Sequence, residues 1–254
     1  MAKTISSDTR TYTRAHPAID GWRLLDIGLA LAVLPVLVPM IALVGLVVLL
    51  ADGRPVIYRS ERMRSLSDAF WLLKFRTMRP DPFDAGASGG HKACRVTRLG
   101  RWLRRTRLDE LPQIWNVLRG DVGFVGPRPP LREHVRRFPH VYARVLRVRP
   151  GITGLATLCF HQQEGRLLSQ TPTAAETEAI YARICIPRKA RIDAIWAANR
   201  SLALDFAIMA GTVWPRHGSF RHRVRSGVLA VIVALFLINP ALIAAALWFS
   251  MVES

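Results

Sequence analysis

The chain has 254 residues, half of them apolar, and 36 Lys and Arg against 18 Asp and Glu give it a formal net charge of +18. This charge favours anionic partners such as nucleic acid, anionic lipid or phosphorylated substrates. The three widely spaced cysteines, an odd number outside any metal-ligand pattern, argue against a disulfide framework and favour reduced thiols in a cytosolic domain. Two long apolar runs leave roughly 160 residues for a soluble core, which favours one compact domain.

The first apolar run carries no charge from Ile27 to Ala51 and is long enough to span a bilayer core of about 30 Å. Pro35 and Pro39 lie near its middle and lack amide donors, so the helix should bend sharply there. Arginines flank both ends, and positive flanks favour the cytoplasmic side of a membrane. A simple spanning helix is the alternative, but a re-entrant segment that enters and leaves by one face fits both observations.

The segments after this run predict a hairpin, a loop and a helix. Residues 54–63 and 69–78 read as two extended segments that could pair at the membrane surface. Residues 79–92 are rich in Pro, Gly and Asp, which predicts a loop. Residues 98–107 have apolar side chains at helical spacing among arginines, which predicts a basic amphipathic helix suited to a membrane interface. A solvated helix face is the alternative for that last segment.

A short helix with a buried apolar stripe is predicted next, from Leu111 through Ile114 and Trp115 to Leu118. Asp109 lies at its start and is expected to act as the N-cap, while Glu110 complements the positive end of the helix dipole. Judged on spacing alone, this structural interpretation of the adjacent carboxylates outweighs a catalytic one.

The second apolar run extends from Gly227 to Met251 and has asymmetric flanks. A basic segment precedes it, whereas Glu253 is the one charged residue beyond it. This asymmetry predicts a spanning helix with its C-terminus outside. Asn239 and Pro240 interrupt the run, so a kinked span or a second re-entrant segment is the alternative.

Four motifs in this order resemble the bacterial sugar transferases, the monotopic polyprenyl-phosphate phosphoglycosyl transferases. They are "KFRTM" at 74–78, "LGRWLRRTRLDELPQIWNVLRGDV" at 99–122, "FVGPRP" at 124–129 and "RPGITGLA" at 149–156. The resemblance covers roughly residues 22–214. It implies transfer of a sugar-1-phosphate from a UDP-sugar to a membrane polyprenyl phosphate with release of UMP, as the first membrane step of exopolysaccharide or glycoconjugate synthesis. The sugar is not specified.

The resemblance also implies roles for individual residues. Asp109 is expected to be the nucleophile that forms a covalent phosphosugar intermediate, and Glu110 the ligand of a Mg²⁺ cofactor. Such a carboxylate attacks a negatively charged phosphorus, so nearby cationic charge must offset the repulsion. The expected substrate-binding residues are Arg104, which matches a family arginine, and Lys74, Arg76, Arg128 and Arg149. For Lys74 and Arg76 a lipid headgroup is an alternative ligand, and for Arg128 and Arg149 a structural turn is the alternative interpretation.

The chain departs from the common family pattern at several positions. Val38 stands before Pro39 where relatives commonly have serine, and Leu155 and Thr157 stand where relatives often have Trp and Gln. Residues 159–179 replace the usual short segment on the acceptor side, which leaves specificity open. Asp205, in a later family element, is expected to be structural.

The expected fold class is a mainly α membrane protein with a small β-hairpin element. Its predicted parts are a cytosolic tail at 1–20, a Pro-broken re-entrant helix at 21–52, a cytosolic α+β phosphoglycosyl transferase domain with interfacial amphipathic helices at 53–214, and a basic linker with a C-terminal transmembrane helix at 215–254. We expect the bacterial inner membrane as its location, with the catalytic domain facing the cytoplasm.

The expected partners are a UDP-sugar, a polyprenyl phosphate and the anionic bilayer, without nucleic acid. The oligomeric state is open, with a homodimer as one alternative. Two competing functions explain the charge alone: a basic membrane-surface or RNA-binding protein, and a non-catalytic membrane scaffold. No RNA-binding motif is present in the sequence.

Overall fold

The computed structural model describes residues 20–79, 95–171 and 173–213. Nearly all of the predicted N-terminal tail and of the predicted loop, and the whole second apolar run, therefore lie outside the described residues.

The first apolar run forms α1, Gly21–Asp52, which is 32 residues and about 48 Å long. The Asp20 carboxylate caps it by accepting the Arg23 N–H at 2.7 Å. The helix assignment continues through Pro35 and Pro39, and the sharp bend expected at these residues stays a prediction. Each proline removes one backbone hydrogen bond, but the turns on both sides retain theirs and hold the helix together. Within the described residues, α1 alone is long and apolar enough to cross a membrane.

One side of α1 packs against the rest of the protein. Ala30, Leu34 and Leu37 lie in a core cluster with Phe70 and Ile114, and the C-terminal half contributes to a second cluster. The opposite side exposes leucines and valines along the helix. α1 is therefore both a core element of the domain and an apolar surface.

The predicted hairpin is confirmed. β1, Ile57–Met63, and β2, Ala69–Phe75, pair antiparallel with Ile57 opposite Phe75. Alternate β2 side chains, Phe70 and Leu72, point into the core, while Trp71 between them is exposed, as the period of a strand requires. The hairpin ends with Lys74 and Phe75, so Lys74 is carried on a rigid strand.

The basic amphipathic helix is also confirmed, as α2, Arg98–Thr106, with Leu103 fully buried. A 3₁₀ helix, Leu108–Gln113, and α3, Ile114–Arg119, follow it. Asp109 lies in the first turn of the 3₁₀ helix and makes no capping bond, so its predicted N-cap role is wrong; Arg107 occupies that position. The predicted stripe is also partly wrong, because Trp115 is exposed and Val117 is buried in its place.

A parallel strand pair joins two of the motifs, and the sequence did not predict it. β3, Gly123–Val125, pairs with β4, Gly151–Thr153. The N–H of Gly126 donates to the Thr153 carbonyl at 2.8 Å, which continues the pairing beyond β3. A side chain at Gly151 would collide with the backbone of Gly126, so glycine permits this approach.

The remaining helices complete the domain. They are α4 Arg132–Arg137, α5 Pro139–Val145, α6 Leu155–Ser169, α7 Ala174–Ile180, α8 Ile186–Ala198 and α9 Leu202–Val213, and a π-helical turn at Tyr181–Cys185 joins α7 to α8. Asp205 accepts bonds from Trp196 Nε1 at 2.8 Å and Arg200 Nε at 3.1 Å, which supports its structural role. The described fold is thus mostly helical with two small sheets.

Candidate active site

Glu110 is the centre of a charged cluster to which three separate segments contribute. Its Oε1 lies 2.9 Å from Lys74 Nζ on β2 and 3.7 Å from Arg128 Nη1, which follows β3. Its Oε2 lies 3.4 Å from Arg107 Nη1 at the end of α2. The Glu110 side chain is 11% exposed. Asp109, which is adjacent in sequence and buried, completes a pair of carboxylates surrounded by cations.

Local backbone geometry presents the two carboxylates to the cluster. Arg107 has φ 59 and ψ 16, the left-handed conformation that ends α2. Its carbonyl accepts the Glu110 N–H at 3.1 Å, which starts the 3₁₀ helix at once. The chain therefore turns sharply between α2 and the 3₁₀ helix, and this turn carries Asp109 and Glu110.

Asn116 of α3 fixes strand β2 beside the carboxylates. Its Oδ1 accepts the Leu73 N–H at 3.0 Å, and its Nδ2 donates to the Trp71 carbonyl at 2.8 Å and to Asp121 Oδ2 at 3.0 Å. The side chain is fully buried. Because Leu73 precedes Lys74, Asn116 sets the position of the lysine that pairs with Glu110.

The two carboxyl groups have pKa shifts in opposite directions. Burial alone would raise the pKa of Glu110, but Lys74, Arg128 and Arg107 outweigh it and lower that pKa to about 2. Burial raises the pKa of Asp109, and Glu110 adds to this rise, although Lys74, Arg104 and Arg128 act against it. Glu110 is thus held as a carboxylate, while Asp109 is a desolvated and less stable anion.

The other predicted substrate-binding residues are divided between this cluster and α1. The Arg104 Nε donates to Thr77 Oγ1 at 2.8 Å, and the positive charge of Arg104 acts to lower the pKa of Asp109. Arg76 instead donates to the carbonyls of Asp52, Gly53 and Arg54 at the end of α1. Arg149 Nη1 lies 3.8 Å from Asp26 Oδ2, near the start of α1. Their predicted roles as phosphate contacts stay predictions.

Comparison with known proteins identifies the family. A model described as bacterial sugar transferase matches residues 20–217, which is most of the chain. The chain belongs to the bacterial sugar transferase family. This confirms the resemblance carried by the four motifs.

Three relatives illustrate the range of the family. The chain is 44% identical over 127 residues to a Bacillus subtilis (strain 168) protein named for undecaprenyl-phosphate N-acetylgalactosaminyl 1-phosphate transfer, covering 50% of this chain and 68% of that protein. It is 42% identical over 141 residues to the UDP-glucose:undecaprenyl-phosphate glucose-1-phosphate transferase of Caulobacter vibrioides, covering 53% of this chain and 52% of that protein. It is 35% identical over 202 residues to the exopolysaccharide production protein PSS of Rhizobium leguminosarum bv. phaseoli, covering 75% of this chain and 92% of that protein. The chain thus spans about half the length of the Caulobacter relative.

The donor set of this sugar transferase is compatible with Mg²⁺. Asp109 and Glu110 offer adjacent hard oxygen ligands, and the low pKa keeps Glu110 ionised. Across the described ranges, no group of three or more His, Cys, Asp or Glu side chains is arranged around a metal position. Mg²⁺ commonly binds through one or two carboxylates, with substrate phosphates and water as the other ligands. Glu110 fits this pattern, and Lys74 and the arginines would then face the substrate phosphates.

Sequence reasoning missed two contributors to this sugar transferase site. Arg107 had a signal, because it lies three residues before Glu110 and can pair with it within one turn. Asn116 had a weak signal, as a polar residue between apolar positions of a short helix. Asp26, near the start of α1 and outside the cluster, was also missed: a carboxylate at the edge of a long apolar run requires a partner, and it accepts the Phe124 N–H at 3.0 Å.

Proposed function

We propose that this protein transfers a sugar-1-phosphate from a UDP-sugar to a membrane polyprenyl phosphate and releases UMP. The observation that carries the proposal is the pair of buried carboxylates, one strongly ionised and one desolvated, surrounded by Lys74, Arg107 and Arg128. The names of the Bacillus and Caulobacter relatives support undecaprenyl phosphate as the acceptor, and that of the Caulobacter relative supports a UDP-sugar donor.

In the first step, an Asp109 carboxylate oxygen attacks the sugar-proximal phosphorus of the donor. An oxygen–phosphorus bond forms as the bond to the bridging oxygen breaks, and UMP leaves with that oxygen. Desolvation makes Asp109 a better nucleophile than a hydrated carboxylate, because no water shell must be removed at the moment of attack. Lys74, Arg104 and Arg128 offset the repulsion between carboxylate and diphosphate.

In the second step, a phosphate oxygen of the polyprenyl phosphate attacks the same phosphorus. The bond from Asp109 to phosphorus breaks, the carboxylate is regenerated, and a polyprenyl diphosphate sugar leaves. When bound at Glu110, Mg²⁺ would supply further positive charge near the phosphates. One carboxylate thus serves a soluble donor and a membrane-held acceptor in turn, which requires a site at the bilayer surface.

The surface of the protein supports this location. Trp71, Trp102 and Trp115 are 57%, 45% and 50% exposed, and tryptophan is enriched at membrane interfaces. Trp102 lies on α2 among the exposed arginines 101 and 105, a pattern suited to anionic headgroups. We infer that these side chains and the exposed apolar side of α1 contact the bilayer.

We further infer that both ends of α1 lie on the cytoplasmic side. Near its start, Arg23 donates to the carbonyls of Val117 and Leu118. At its end, the Asp52 carboxylate accepts the Thr97 hydroxyl at 2.8 Å. Since one domain holds both ends, α1 cannot place them on opposite sides of a bilayer core of about 30 Å.

Single cysteines should test this topology, because an impermeant thiol reagent labels only the accessible side. We expect Gly21→Cys and Arg54→Cys to be labelled in inverted membrane vesicles and protected in intact spheroplasts. Ser67→Cys, in the exposed hairpin turn, is the cytoplasmic reference. The native thiols to be replaced by alanine are Cys94, Cys159 and Cys185. Labelling of position 21 from the outside, with position 54 protected, would show instead that α1 spans the membrane.

The reaction itself is tested with membranes containing the protein, a UDP-sugar labelled in the sugar, Mg²⁺ and undecaprenyl phosphate. We expect released UMP and label in the lipid fraction. A basic surface-binding protein, an RNA-binding protein or a scaffold would yield neither product with any UDP-sugar, and that result would overturn the proposal.

The pH dependence tests the role of Lys74. Lys74 lowers the pKa of Asp109, so Lys74→Met should raise it further. The nucleophile is active as the carboxylate, and the acid limb of kcat/KM for UMP release should therefore move to higher pH. Lys74→Arg keeps the charge and should leave the limb within a few tenths of a pH unit. An unmoved limb in Lys74→Met would show that Asp109 does not control the rate.

A further inference from the structure

A second polar cluster lies between α6 and α8 and is not used in the mechanism above. Lys189 Nζ on α8 lies 3.1 Å from Glu164 Oε1 and 3.3 Å from its Oε2 on α6. The Tyr181 hydroxyl is 3.5 Å from the same nitrogen. The side chains of Lys189 and Glu164 are only 14% and 19% exposed. The cluster is therefore a defined and largely desolvated arrangement.

α6, the helix that carries Glu164, begins beside the loop that leads to Arg128. Gly154, which precedes α6, lies against Gly126 so closely that a side chain at Gly154 would collide with the Gly126 carbonyl. Arg128 comes two residues after Gly126, and its positive charge acts to lower the pKa of Lys189. The first turn of α6 is thus fixed beside the loop that presents Arg128 to Glu110.

His161 lies on α6 between the first turn of that helix and Glu164. It is one turn before Glu164 and is solvent accessible. Partial desolvation and then the charges of Arg107 and Arg128 lower its pKa, while Glu164 acts in the opposite direction. Because residues three apart on a helix are neighbours on its surface, His161 lies beside Glu164 on α6.

We call His161, Glu164, Tyr181 and Lys189 together the neutral wall. Its chemistry differs from that of the catalytic cluster. Lys74, Arg107 and Arg128 outnumber the acceptors near them and suit phosphate. Glu164 and Lys189 have no net charge together, and with His161 and Tyr181 they offer both donors and acceptors. An uncharged ring with several hydroxyl groups needs both kinds of partner, whereas a phosphate needs donors alone. Such a neutral wall is notable in a chain with a net charge of +18.

We propose that His161, Glu164 and Lys189 contact the sugar ring of the donor and select among sugars. This inference rests on the proposed function and deepens it. The sugar ring is attached to the phosphorus that Asp109 attacks, so it must lie next to the catalytic cluster. His161 and Glu164 belong to residues 159–179, where the chain departs from the common family pattern, and Lys189 faces them from α8.

The test compares kcat/KM for UDP-glucose, UDP-galactose, UDP-N-acetylglucosamine and UDP-N-acetylgalactosamine, measured as UMP release. We expect His161→Ala and Glu164→Gln to change the ratio between the best donor and its competitors by about ten- to hundredfold, because a hydrogen bond to a hydroxyl is lost for one sugar and not for another. Inhibition by UMP, which carries no sugar, should stay within twofold of the wild type.

Lys189→Met leaves Glu164 without its partner and is liable to misfold, so Lys189→Arg is measured with it. Lys189→Arg keeps the charge but changes the reach and shape of the donor, and it should also shift the sugar ratio. The matched controls are Glu176→Gln on α7 and Arg188→Met on α8, both exposed. They should leave the ratio unchanged.

The outcomes separate the two levels of the proposal. No UMP release by the wild type with any donor would overturn the proposed function. Turnover by the wild type, with the same sugar ratios in His161→Ala, Glu164→Gln and Lys189→Arg, would overturn only the sugar-selecting wall. An equal loss for all donors with weaker UMP inhibition would also overturn it, because the wall would then contact the nucleotide.

Discussion

Asp109→Asn is expected to abolish turnover, with a loss of at least about 10⁴-fold in UMP release, because the amide cannot form the phosphosugar adduct. The same substitution should not destabilise the fold. Burial raises the pKa of Asp109, so the native state favours the neutral form of this side chain. Asparagine has the same shape without the charge. The melting temperature of the Asp109→Asn protein should therefore equal or exceed that of the wild type.

The adduct is measured directly by omitting the acceptor and following label from the sugar into the protein band. Wild type should retain label, and Asp109→Asn should not. Asp68→Asn, an exposed aspartate in the hairpin turn, is the matched control and should retain both label and turnover. Near-normal UMP release by Asp109→Asn would remove Asp109 from the role of nucleophile.

Elements with a strong local pattern could be predicted from the sequence. The hairpin follows from two adjacent extended segments, 54–63 and 69–78, and α2 follows from apolar positions at helical spacing among arginines. The grouping of Lys74, Glu110 and Arg128 came from motifs in the resemblance. Lys74 is 36 residues before Glu110 and Arg128 is 18 residues after it, so no local period links the three.

Features decided by tertiary contacts could not be predicted in this way. Asp109 has the residue type of an N-cap, but the left-handed turn at Arg107 starts a 3₁₀ helix two residues earlier than an Asp109 cap would. β3 and β4 are three residues each, too short for a periodic signal, and they pair across 28 residues of chain. Trp115 fits the helical stripe, yet its side chain is exposed. The buried Asn116 next to it faces the hairpin instead.

Glu110→Gln should behave differently from Asp109→Asn, because the environment of Glu110 favours the charged form. Its pKa is lowered from 4.5 to about 2, which corresponds to about 3 kcal/mol of stability at neutral pH. Removing the charge leaves Lys74, Arg107 and Arg128 without their shared partner. We expect the melting temperature to fall by about 6–12 °C at pH 7. Turnover should also fall steeply, and it should recover in part at high Mg²⁺ if Glu110 holds the ion.

The pH dependence and a second variant separate the structural role of Glu110 from its role toward the metal. The stabilisation is complete above the unfolded pKa of about 4.5 and is lost as pH falls toward 2, so wild type and Glu110→Gln should converge in stability in acid. Glu61→Gln, which breaks an exposed pair with Arg132, should change the melting temperature little at any pH. In the double variant Lys74→Met and Glu110→Gln, one cation is removed with the anion, so part of the lost stability should return. Turnover should not return with it, because the double variant lacks both the carboxylate ligand for Mg²⁺ and the Lys74 charge that faces the donor. Recovery of both together would show that Glu110 acts only by balancing the cations.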